Sequence, residues 1–110
     1  MPFDKINIDS ITEERRKSVA KSIRTVSGEE LRKLGDEVFH DLDDPWREEF
    51  FKFIEEHKGV TIYHAIASDG VHMLYCPEKD KGIWFLPGAG KGILSPTGRQ
   101  MMKEAAAARS

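Results

Sequence analysis

Residues 60–87 read VTIYHAIASDGVHMLYCPEKDKGIWFLP. Three stretches of this segment, VTIYHAIA, VHMLYC and GIWFLP, are rich in β-branched and aromatic side chains, and SDG and PEKDKG separate them. That texture predicts three antiparallel strands in a meander. Pro77 and Pro87 mark strand ends, because proline has no N–H to give to a ladder. The first turn decides which side chains share a face. If Ser68-Asp69-Gly70 is a three-residue loop with Gly70 left-handed, Ala67 pairs with Val71 and His64 faces Leu74. His64, His72 and Cys76 then come to one face. If Asp69-Gly70 alone turns the chain, the register slips by one, and His64 parts from His72 and Cys76.

Upstream of this segment the pattern is helical. Ser10-Ile11-Thr12-Glu13 fits a capping box and predicts a helix over about 11–25, in which apolar positions are sparse and Arg and Lys abundant. Ser27-Gly28-Glu29-Glu30 is a second box, followed by a face of Leu31, Leu34, Val38 and Leu42. Gly35 interrupts that helix, either to admit a close neighbour or simply to weaken it by about 1 kcal/mol relative to alanine. Asp44-Pro45 opens a third helix, with Trp46, Phe50, Phe53, Ile54 and His57 at helical spacing and Gly59 as its stop. Downstream, a fourth helix spans about 97–107, capped by Ser95 ahead of Pro96 or by Thr97 with Gln100. Residues 1–9 and the tail from about 107 to 110 are expected to fray. The expectation is one α+β domain over residues 1–110, a three-stranded antiparallel meander packed with about four helices in the order ααα-βββ-α.

The totals bound the function. Net charge is −2, without the basic footprint of a nucleic-acid binder. Residues 35–58 carry nine acidic and three basic side chains. This acidic block reads as a solvated helix face or as a docking face for a basic partner. Three helices before a hairpin resemble a winged-helix arrangement, but PWREEFFKFIEEH would then enter DNA carrying Glu48, Glu49, Glu55 and Glu56, against phosphate repulsion. No nucleic-acid partner is expected. The single cysteine excludes an intramolecular disulfide, and no run is long and apolar enough for a membrane span. A cytoplasmic protein without a membrane partner is the expectation.

Glycines 88, 90 and 92, with Lys91, are the strongest hint of a ligand. The P-loop pattern fails, because Phe85 stands where its first glycine belongs and Gly92 where its Ser or Thr belongs. What remains is an anion nest of backbone amides, with Lys91 adding charge and Arg99 in the first turn of the last helix. The competing reading is a flexible strand-to-helix turn, in which Gly88, Gly90 and Gly92 supply positive φ. His64, His72 and Cys76 are a weak candidate set for a metal, because diagonal strand neighbours are loose for bonds near 2 Å and no C-x-x-C or H-E-x-x-H spacing supports them. No metal and no cofactor is expected. Cys76 lacks the surroundings of a nucleophile, and no acid–base pair stands out.

Trp84 and Leu86 should face one side of the last strand, and Ile83 and Phe85 the other. A sheet covered on one side alone would expose Tyr63, Tyr75 and Trp84 as an interaction surface. Cover by the first or fourth helix would bury them. The reading of the whole chain is a small cytosolic non-catalytic interaction or regulatory module, a homodimer or adaptor for an unidentified protein partner. A small anion- or phosphate-binding protein using residues 88–92 and the start of the last helix is the alternative.

Overall fold

The computed structural model describes residues 12–27, 29–40 and 43–109. The chain runs α1 (Glu13–Ser22), β1 (Arg24–Val26), α2 (Glu29–Val38), α3 (Pro45–Glu56), β2 (Ile62–Ile66), β3 (His72–Cys76), β4 (Lys81–Leu86), β5 (Gly90–Ile93) and α4 (Pro96–Arg109). The class is α+β, as expected. The sheet has five strands rather than three, antiparallel throughout and ordered β1-β2-β3-β4-β5.

Both additional strands lie where the sequence pointed elsewhere. Residues 24–26, read as the end of the first helix, pair with β2. Thr12 caps α1 by accepting from the Arg15 amide at 3.1 Å, and the helix ends where Ile23 turns extended. Ile23 stays in the core beneath α1, whereas Val26 is buried on the opposite face of the sheet. Residues 90–93, read as part of a turn, form an edge strand on β4. Gly88 alone of those three glycines has positive φ. Gly92 is required for a different reason: a Cβ there would collide with the Trp84 indole lying across it. Gly92→Ala is therefore expected to destabilise the fold by about 1–3 kcal/mol through overpacking. Urea unfolding followed by Trp84 fluorescence measures this.

The hairpin β2–β3 adopts the three-residue turn. Ala67 donates to Val71 at 2.9 Å, Gly70 has φ 84°, and His64 faces Leu74. Arg15 of α1 is ion-paired with Asp69 in that turn. Asp44 caps α3 with Pro45 at its start, and Ser95 caps α4 by accepting from the Gly98 amide. α4 continues to Arg109, past its expected end near 107. The expectations for residues 1–9, Ser10, Gly28, Leu42 and Ser110 lie outside the described residues.

Helices cover both faces of the sheet. On one face α1 and α4 bury Val19, Ile23, Met101, Met102 and Ala105 against Ala65, Met73, Tyr75 and Trp84. On the other, α2 and α3 bury Leu31, Leu34, Phe50, Phe53 and Ile54 against Ile62, Leu74, Cys76 and Phe85. Gly35 is where α2 and α3 approach closely, with Phe50 and Phe51 against the space a Cβ would fill. This five-stranded, doubly covered sheet is not the winged-helix plan.

Candidate functional site: a sheet edge and a histidine groove

The residues read as one anion site are spread along the β4–β5 hairpin. At its turn, the Gly88 amide donates to Asp44 Oδ2 at 2.8 Å, so the chain's own carboxylate occupies that amide. Gly90 and Gly92 are paired with Leu86 and Trp84 in the ladder. Lys91 is half-buried, with Nζ 3.3 Å from Glu49 of α3. Arg99 sits at the opposite end of the hairpin, donating to the Leu94 carbonyl at 2.6 Å, with Nε 3.6 Å from Asp80. The register runs from Leu86–Gly90 to the Leu94–Gly82 bond, four residues or about 13 Å. Gly88, Gly90, Lys91, Gly92 and Arg99 therefore do not converge.

The aromatic residues read as a surface lie beneath helices. Tyr75 is 1% exposed and Trp84 7%, both under α1 and α4, and Tyr63 is half-buried against the same cluster. The Tyr75 hydroxyl donates to Asp80 at 2.8 Å. The exposed apolar side chain is a different one. Ile93 is 82% exposed, on the edge strand, against 39% for Ile66. The acidic block is partly answered within the fold, where Asp36 pairs with Arg47 and Glu55 with Arg32. Such exposed pairs contribute little to stability.

β5 presents a defined edge. Its partner on one side is β4, and the sheet ends there. Leu94 donates to Gly82, and in an antiparallel ladder bonded and non-bonded pairs alternate. Gly92 and Gly90 consequently direct their backbone groups inward. Lys91 and Ile93 direct theirs outward, where the described residues offer no further strand.

The hairpin register brings together a second group. His64, His72 and Cys76 share the face toward α2 and α3, but Cys76 is buried in the apolar core. The two histidines meet directly. His64 Nε2 lies 3.0 Å from His72 Nδ1, with the rings within 13° of parallel and their centroids 5.3 Å apart. That separation equals the hydrogen bond plus two ring radii. The nitrogens thus face each other along a straight line, and the rings lie edge to edge in nearly one plane. A shared metal would need both lone pairs to converge on a third point instead. Among the described residues no three His, Cys, Asp or Glu side chains are arranged to hold a metal ion.

Burial, the neighbouring His72 and Arg24, in that order, lower the His64 imidazole from 6.5 to about 3. Burial lowers His72 as well. Both are neutral at pH 7. His64 Nδ1 is enclosed without a hydrogen-bond partner. Arg24 of β1 stands directly across from His64. Arg24 therefore faces His64 across β1 and β2, and His72 is the diagonal neighbour of His64 on β3. They border a groove of about 470 Å³ that Leu34 and Val38 of α2 and Ile66 of β2 also line.

Sequence reasoning missed Arg24 and Ile93, because each lies on a strand it did not detect. The signal for Arg24 was the Thr25-Val26 pair that follows it. Comparison with protein-family models, curated proteins and solved structures finds no match.

Proposed function

We propose that this chain is a non-catalytic interaction module that pairs with a second copy of itself through the free edge of β5. The observation that carries the reading is Ile93, 82% exposed on an edge strand whose outward backbone groups have no neighbouring strand among the described residues. Such an edge is a template for strand addition. Residue parity requires Lys91 and Ile93 to face each other or their own copies across the axis, and of these the pairing of Lys91 with Ile93 engages both residues while keeping the two Lys91 charges apart. A two-fold axis perpendicular to the sheet and passing beside Gly92 sets Lys91 of one copy against Ile93 of the other. Each then exchanges an N–H···O=C pair with its opposite number, giving four hydrogen bonds. The Lys91 stem lies over the facing Ile93, while Glu49 keeps the Lys91 charge paired. The product is a continuous ten-stranded sheet. The absence of glycine-loop convergence favours this over a phosphate-binding role.

Light scattering on a size-exclusion column tests it. Wild type should elute at twice 12.5 kDa and dissociate on dilution. Ile93→Lys places two lysines side by side across the axis and should be monomeric with unchanged circular dichroism. A wild type that stays monomeric at high concentration, or an Ile93→Lys protein that still dimerises, would refute the reading.

A further inference from the structure

Gly90 and Gly92 bring no side chains to the α1 and α4 side of β5, and Trp84 uses that space. Trp84 and Gly92 are direct partners in the β4–β5 ladder. A Cβ at Gly92 would lie 2.7 Å from Trp84 Cε2 and 2.8 Å from Cζ2, so the indole fills the place of the missing side chain. The ring thereby spans from β4 to the last strand of the sheet. Only 7% of Trp84 is exposed, because α1 and α4 pack over it, so a partner can touch an edge of the ring and not a face.

Resting on the edge-pairing reading, we infer that the Trp84 indoles of the two copies meet edge to edge over the two-fold axis and anchor the interface. With the axis beside Gly92, the two Gly92 residues face each other. Each directs its backbone groups toward its own β4, so they form a non-hydrogen-bonded pair with Cα atoms about 4.5 Å apart. The Cβ positions of facing residues lie about 4.5–5.5 Å apart, and an indole edge occupies each of them. Two facing glycines place no side chain between the rings. Lys91 and Ile93 make their contacts on the opposite face of the sheet, so the pair of strands is held from both sides. Tryptophans in such central positions carry a large share of interface energy.

The contact is specific to this register. With Lys91 facing its own copy, Gly92 stands opposite Gly90. With Ile93 facing its own copy, Gly92 stands opposite Leu94. Either arrangement moves the two indoles apart by two residues, about 7 Å, and they no longer touch.

Trp46 and Trp84 are the chain's two tryptophans, so Trp46→Phe leaves Trp84 as the single indole. The test mixes isotope-labelled and unlabelled Trp46→Phe protein in equal amounts. Light scattering gives its oligomeric state, and isotope-filtered nuclear Overhauser spectra read contacts between copies. The expected result is a dimer with an indole-to-indole signal that disappears on dilution. Trp84→Phe, whose shorter ring does not reach across Gly92, should dimerise at least tenfold more weakly with unchanged circular dichroism. A dimer without the indole signal would overturn the Trp84 contact and leave edge pairing in another register. Dimerisation of Trp84→Phe at wild-type strength would overturn the anchoring role. Protein that stays monomeric at high concentration would refute the edge pairing and this contact with it.

Discussion

Acidification from pH 7 toward pH 3 is expected to remove roughly 4–5 kcal/mol of folding stability through His64 alone. In the unfolded chain this imidazole titrates near 6.5, and in the fold its value is about 3. Above pH 6.5 it is neutral in both states, and its protonation contributes nothing. Below 6.5 the unfolded chain takes up a proton that the fold refuses, so stability falls by about 1.4 kcal/mol per pH unit until the folded value is reached. His72, also lowered, acts in the same direction. Protonation is additionally costly because two imidazolium rings have four donors and no acceptor, and the His64–His72 bond is lost. Urea unfolding at pH 7, 6, 5 and 4.5 measures the slope. His64→Leu should flatten it by close to one proton, which separates this effect from the carboxylates common to both proteins. Parallel slopes in the two proteins would show that His64 is not held neutral.

Phe85→Ala is expected to cost about 3–5 kcal/mol. Phe85 is completely buried. Its ring meets Phe39 edge-on at 5.6 Å and 88°, and Phe50 at 5.3 Å and 57°. One side chain of β4 thus joins the end of α2 to α3 across the sheet. Removing it opens a cavity that none of the three elements can close without abandoning its other contacts. A small domain has about 5–15 kcal/mol in total, so the variant should be marginal at room temperature. A shift in its urea midpoint gives the magnitude. A loss below about 1 kcal/mol would mean that this face is not packed as described.

The sequence made some of this legible and hid the rest for identifiable reasons. β2, β3 and β4 are long enough, and rich enough in β-branched and aromatic residues, to declare themselves. Gly70 marked a turn without deciding between its two registers, and Asp44-Pro45 located the start of α3. β1 was hidden because three residues carry no period and the preceding helix could be extended through them. β5 was hidden because Gly90 and Gly92 have no side chains with which to signal a strand. The small size of Gly92 serves Trp84, a tertiary contact. Phe39 was overlooked because it falls one residue beyond α2, although its amide still bonds to Gly35. The histidine pair depended on a register that residue types left open. Its neighbour Arg24 could not be found without β1. The aromatic residues were correctly placed on strands, but whether α1 and α4 cover them is decided by where those helices return.

The most direct test of the edge-pairing account is amide hydrogen exchange at Lys91 and Ile93 as a function of protein concentration. Gly92 should be protected at every concentration, because its amide faces β4. Lys91 and Ile93 should exchange freely in dilute solution and become protected together as the concentration rises. Free exchange at both positions at all concentrations would contradict the account.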